Sequence, residues 1–320
     1  MKIIVTFIFI SLSVMSVFGQ AKSNSNSSKQ GALQETSKSK SASKIYERSG
    51  KHFTVSAIDR INTKYNEYYI ATYKDGIVFS TIKGVGSPAT PDDVSFFFVK
   101  PSVGNPTKFE TNYIGNYIPI AVGFDQTEQQ IFLTCLELSN APGNSLGIDR
   151  FHIFNGIMKD GKWSNWTELS ISKNMLSAGF PVINKTNNMM YFCGKQKGNN
   201  TGFDIFSATK SGSSWSSQKL LGNSVNTTRD EIMPVVFNNT LFFSSNGRGG
   251  LGEFDICLID LSKSDAESFI IDAPMNTTGN DIQILVSKDN KSGYLINDSK
   301  RKQSGDIYSF MLSGPEPFVK

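Results

Sequence analysis

Aspartate is the residue type whose spacing invites a chemical reading in this 320-residue chain. Asp204, Asp255 and Asp306 stand in Phe-Asp-Ile-Phe, Phe-Asp-Ile-Cys and Gly-Asp-Ile-Tyr, 51 residues apart both times. A carboxylate so placed has three uses: holding a cation, moving a proton, or accepting backbone N–H bonds from a neighbouring turn. Repetition at a fixed interval favours the last, because an active site is built once and a structural cap recurs with its unit. The segment Gly249-Gly250-Leu251-Gly252-Glu253-Phe254-Asp255 has a faint calcium-repeat character, but it lacks the nonapeptide period and its Asp falls one residue late.

Other chemistry is sparse. The two histidines, His52 at the domain edge and His152 in a predicted strand, have no Cys, Asp or Glu at metal-ligand spacing, so both read as surface or structural. Cys135, Cys193 and Cys257 fall in predicted strands and read as buried free thiols, the odd count arguing against a disulfide framework. There is no Gly-x-Ser-x-Gly elbow and no phosphate loop. No catalytic residue, cofactor or metal is expected, and the chain is not expected to be an enzyme.

The aspartates are one landmark in a longer repeat. Leu241-Phe242-Phe243-Ser244-Ser245, a glycine-rich turn and Asp255-Ile256-Cys257 form the clearest copy. Tyr191-Phe192-Cys193 and Tyr294-Leu295-Ile296 fill the aromatic slot elsewhere, as do Ile131-Phe132-Leu133-Thr134 and Val78-Phe79-Ser80 upstream. Each unit opens on an Asn-Thr pair (Asn62-Thr63, Asn226-Thr227, Asn276-Thr277) with an acidic side chain four or five residues on. Short β-prone runs at a period near 50 residues give four strands per unit, which is propeller spacing. The expected fold is all-β, a single propeller of five four-stranded blades, or six if a divergent blade lies in the long loops. First strands begin near Tyr69, Ile118, Phe180, Met233 and Ile282. The last unit has only three strands, so the alternating segment Phe53–Ile58 is expected to complete it, an open edge being an aggregation hazard.

Residues 1–19 read as a secretory signal peptide cleaved after Gly19, residues 20–44 as a disordered Ser/Lys-rich linker, and 45–320 as the propeller domain. Residues 1–51 carry eight basic and two acidic side chains, so the formal charge of +4 belongs to this leader and not to the body. That distribution, with no recognition motif, excludes nucleic acid as a partner. No stretch beyond the leader approaches membrane length, so no transmembrane segment is expected in the mature chain.

These residues resemble a known family. Asn226-Thr227 through Pro234, then Leu241 to Gly247, then Gly249-Gly250-Leu251-Gly252 and Asp255-Ile256, are similar to the WD40-like, TolB-type propeller repeat of Bacteroidetes envelope proteins. Ile61 to Glu67, Phe79-Ser80 and Asp160 to Ser164 match its earlier repeats. In that family the propeller usually precedes a peptidoglycan-binding OmpA-like domain, which this sequence lacks, so peptidoglycan binding is not carried over. The resemblance implies an exported protein, periplasmic or outer-membrane associated: a non-enzymatic interaction propeller whose partner is an envelope or outer-membrane protein complex, such as a secretion or gliding apparatus to which it is an accessory.

The alternative is a glycan-binding or glycan-active propeller. Against it, Lys210-Ser211-Gly212-Ser213-Ser214-Trp215 carries Lys where a sialidase-type box has Asp. The predicted inner strands Ile118–Val122, Phe180–Ile183 and Pro234–Phe237 also hold none of the paired carboxylates that glycosidases need. A structural spacer is the third reading. For partner docking, the glycine turns and Asn-Thr links should share one rim, which collects Lys195, Arg229, Arg248, Lys300 and Arg301 as candidate contacts.

Overall fold

A computed structural model describes residues 45–46, 53–83, 90–100, 104–111, 114–138, 150–184, 188–198, 202–300, 304–314 and 318–319. The signal peptide, the whole linker, His52 and Arg301 lie outside these residues. Five sheets, antiparallel except where Ile45–Tyr46 adds to the fourth in parallel with Phe269–Ile271, are arranged as the blades of a propeller, each beginning on an inner strand: Asn66–Tyr73, Tyr117–Phe124, Ser177–Asn184, Glu231–Phe237 and Asp281–Val286. Each inner strand carries a bulge near its start. The five strands pack around a central channel.

Alternation along the second strands buries one aromatic or aliphatic face against each neighbouring blade. Phe79, Phe132, Phe192, Phe242 and Phe243 are among the most deeply buried side chains, and aromatic rings of this size dominate packing between sheets. The three cysteines are buried thiols within strands. Burial pushes the thiols up, Cys257 to about 12, so they act as small apolar residues.

The fifth blade closes as its sequence requires. Phe53–Ala57 pairs antiparallel with Asp306–Leu312, from Phe53 opposite Leu312 to Ala57 opposite Tyr308. The amino-terminal end of the chain thereby supplies the outer strand of the last blade, and the ring is joined between the first and last repeats.

A polar position on the second strand recurs and explains why one repeat looks degraded. Ser80 Oγ donates to Ile120 O (2.8 Å), Phe180 N–H donates to Thr134 Oγ1 (2.6 Å), and Ser244 Oγ donates to Asp281 O and Ile282 O (both 2.7 Å). Each bond stitches a blade to the inner strand of the next. The fifth blade has Ile296 in this slot, opposite Ile307, so no side-chain bond is available there. Gln283 substitutes: its carboxamide accepts from Ile70 N–H (2.9 Å) and donates to Ile70 O (3.0 Å) across the fifth-to-first interface. Gln283→Leu strands both buried backbone groups of Ile70, and unpaired groups of this kind cost about 1–3 kcal/mol each. Denaturant unfolding should show a loss of roughly 2–4 kcal/mol; an unchanged midpoint would refute this role.

Candidate functional site

The channel has two mouths of different chemistry. At one, the Asn-Thr links enter the inner strands, and the repeated polar residues are engaged internally. Asn226 accepts from Ile205 N–H (2.7 Å) and donates to Ile205 O and Leu221 O; Asn276 repeats this with Ile256 and Ile271, and Asn62 with Ile307. The carboxylates that follow, Glu67, Glu231 and Asp281, accept from the backbone N–H groups of Thr63, Thr227 and Thr277 at 2.8, 2.8 and 2.6 Å. All three are fully buried. Asp255 likewise accepts from Leu251 and Gly252 N–H groups, as its repetition suggests.

This corrects two expectations. Inner strands do hold carboxylates, at first residues that the sequence reading placed before the strands. Burial holds Glu231 above the usual carboxylate range and pushes Asp281 up to about 8. Enclosure by threonines and strands leaves them no access to a substrate, so they serve the fold. The expected docking rim is also altered. Arg248 Nη2 donates to Ser224 O (3.0 Å) and Val225 O (2.7 Å), with its guanidinium 5.7 Å from the Phe243 ring centroid. It braces the glycine turn against the blade link and is not a free interface anchor. Arg229 and Lys300 are exposed, Lys300 lying over the Tyr308 ring, and Lys195 is half-buried at a strand end.

One cluster on the second blade was not legible from spacing. His152 Nδ1 lies 2.8 Å from Glu168 Oε1, and its Nε2 lies 3.4 Å from Glu137 Oε2, which also meets Arg150. These groups come from three neighbouring strands of one sheet, which the cluster ties together. His152 is therefore structural, in agreement with its reading from sequence.

The opposite mouth holds a cavity of about 280 Å³. Every blade lines it from the far half of its inner strand and the turn beyond: Thr72 and Lys74, Phe124 and Glu128, Asn184, Phe237 and Asn238, Gln283 and Lys288. The space is slightly below the roughly 300–1,000 Å³ of drug-sized ligand pockets, and mixes apolar walls with a few polar groups as such pockets do. Tyr69 forms part of the lining. Burial raises its phenol, only partly opposed by a hydrogen bond with Gln283, so it stays a neutral hydroxyl.

The turns around this mouth share a backbone feature that the sequence reading did not weigh. Each of the five places a non-glycine residue in the left-handed region: Lys74 (φ 51°), Glu128 (57°), Asn188 (54°), Asn238 (53°) and Asn290 (55°). Asparagine tolerates that conformation; lysine and glutamate do not. The two exceptions lie in adjacent blades, both line the cavity, and the Lys74 N–H donates to Glu128 Oε1 at 2.9 Å. Side chains kept against turn preference mark positions held for another purpose. Lys74→Asn should therefore raise stability by about 0.5 kcal/mol, read as an upward shift of Tm; a lower Tm would show that Lys74 serves the fold.

No protein-family model and no curated protein sequence matches the chain. Solved structures do. An α-L-arabinofuranosidase from Lactobacillus brevis is similar over 83% of this chain and 96% of its own length, at 9% identity and a TM-score of 0.53. The Bacteroides ovatus xyloglucan PUL GH43B is similar over 80% of this chain and 54% of its own, at 11% identity and a TM-score of 0.50. The fold is thus that of a five-bladed β-propeller, shared with glycoside hydrolase propellers. Two expectations are corrected by this finding. The expectations of a non-enzymatic protein-interaction propeller and of no enzyme, drawn from the repeat resemblance and from the sparse chemistry, are overturned by this likeness to an α-L-arabinofuranosidase and a GH43 protein.

Proposed function

We propose that this protein is a glycan-binding or glycan-active propeller that seats a sugar unit in the cavity at the hairpin mouth of its channel. The observation that carries the reading is the cavity itself, a concave site to which all five inner strands contribute. Phe124 and Phe237 offer apolar surface to a sugar ring, while Asn238 and Glu128 offer hydrogen-bonding groups. A glycosidase of the usual kind needs two carboxyl groups within about 10 Å of each other. Glu128 is the one carboxylate among the cavity's described lining residues, and it is the group that a proton transfer at this mouth would use. The leader-like residues 1–19 support an exported protein, which meets polysaccharide outside the cytoplasm.

A glycan array combined with a panel of chromogenic aryl glycosides tests this. The expected result is selective retention of at least one oligosaccharide class, or turnover of at least one glycoside, that is lost in Asn238→Ala with Glu128→Gln. A folded protein that neither retains nor cleaves any of them contradicts the proposal.

A further inference from the structure

The charges at the cavity mouth say more about what enters it. Lys74 and Lys288 line the cavity from the first and fifth blades, which are neighbours in the closed ring, and both are exposed. Among the described residues neither is in a salt bridge. The neighbouring aspartates do not line the cavity and have other hydrogen-bond or ion-pair partners. Asp75 is paired with Lys100. Asp125 accepts from the Gln129 and Gln130 N–H groups at 3.0 and 2.9 Å and from the Thr127 hydroxyl. Asp289 accepts from the Lys291 and Ser292 N–H groups, both at 2.9 Å, and from the Ser292 hydroxyl. Glu128 has one oxygen engaged by the Lys74 N–H. Lys74 and Lys288 thus bring two ammonium groups to a lining in which Glu128 is the one carboxylate, the rest being apolar, hydroxyl and amide groups.

The backbone adds an independent observation. Three of the five turns use asparagine at the left-handed position, yet the first blade uses Lys74 there. An ammonium on a flexible stem held where asparagine would be easier is placed for its charge.

We propose that the cavity selects an anionic sugar unit, its carboxylate or sulfate held by Lys74 and Lys288, with the free oxygen of Glu128 and the Asn238 carboxamide taking its hydroxyl groups. This rests on the glycan reading above and adds the charge class. A lysine acts on such a group as a point charge, so the contact requires no fixed planar geometry and weakens with salt.

The test is calorimetric titration of the full-length protein with three matched short oligosaccharides: an oligogalacturonate, a neutral oligogalactose and a sulfated oligogalactose. The account predicts that one or both anionic probes bind at least about tenfold tighter than the neutral one. That preference should shrink on raising salt from about 0.05 to 0.5 M. Lys74→Asn and Lys288→Gln should each lower affinity for the anionic probe by about tenfold with Tm not lowered, since both side chains are exposed, neither is in a salt bridge among the described residues, and the one contact of the Lys74 ammonium, 5.1 Å over the Tyr73 ring, is offset by the easier turn that asparagine makes. Which anion binds tighter separates a uronate from a sulfated sugar as the source. Equal or tighter binding of the neutral probe overturns the charge assignment and leaves the glycan reading standing. Binding of none of the three, with none retained on a broader array, overturns both. Anionic preference that survives both substitutions also overturns the assignment, because the charge must then lie elsewhere.

Discussion

Removal of Phe53–Ala57 is expected to turn this protein into aggregate. The five residues make the outer strand of the fifth blade, paired along their whole length with Asp306–Leu312. Pairing continues past the strand: Ile58 N–H donates to Ile307 O at 3.2 Å, and the Asn62 carboxamide donates to the same oxygen at 2.9 Å. Phe53 packs edge-on against Phe310 and Phe318, with centroids 6.1 and 5.1 Å away. Phe318 is itself fully buried and stacks on Phe242 of the fourth blade. Deletion thus exposes a seven-residue strand edge and opens an aromatic cluster that spans two blades. A bare edge of that length templates pairing with another chain, and loss of the half-buried Phe53 adds a cost below the about 3–5 kcal/mol of a fully buried phenylalanine. Size-exclusion chromatography and thermal unfolding of the deletion variant should show higher-order species and no cooperative transition near the parent Tm. A monomer with the parent Tm would show that the ring closes another way.

The second large effect is on pH. Asp281 is fully buried between Thr277 and the fourth blade, and burial pushes its carboxyl up to about 8 from an ordinary 3.8, with the charges of Asp255 and Asp298 adding to the shift. Glu231, Asp230 and Asp255 are raised in the same direction, each by burial first. A carboxyl whose folded value is raised keeps its proton in the native state after the unfolded chain has released it. Its contribution to stability is present below the unfolded value and is lost as pH rises through the folded one. Between roughly pH 4 and 8, unfolding free energy should therefore fall with pH, by up to about 1.4 kcal/mol per unit from Asp281 alone. Asp281→Asn retains an oxygen for the Thr277 N–H bond and needs no proton, so it should flatten the slope and gain on the parent as pH rises. Denaturant unfolding at several pH values decides this; parallel curves for parent and variant would mean that Asp281 does not carry the dependence.

How far the sequence could be read follows from what each residue answers to. The blades were legible because their landmarks answer to local rules repeated at one period: the aromatic run in Leu241–Ser245, a capping Asp255, a bridging Asn226. The closing strand was legible because a three-stranded last repeat and an unassigned alternating segment complete each other. Gln283 was not, since its partner Ile70 stands 213 residues away and only ring closure brings them together. The same long range hid the cavity. Thr72, Phe124, Asn184, Phe237 and Lys288 share no motif; they converge because each stands at the far end of an inner strand or in the turn just beyond. The repeat that made the fold readable says nothing of the cavity. Repeated polar residues drew attention to the link rim, where Asn62, Asn226, Asn276 and Arg248 are engaged in holding blades together. The informative signal lay in the exceptions, Lys74 and Glu128, at turn positions where the other blades carry asparagine.

Hydrogen exchange of the full-length protein, with and without a short oligogalacturonate at saturating concentration, tests the central claim most directly, because it reports both whether a sugar binds and at which mouth. Slowed exchange is predicted in the hairpin turns around residues 73–76, 125–129, 238–240 and 287–290, with the links at 224–231 and 276–281 unchanged. Slowing confined to those links, or at neither mouth, would contradict a glycan site in the cavity.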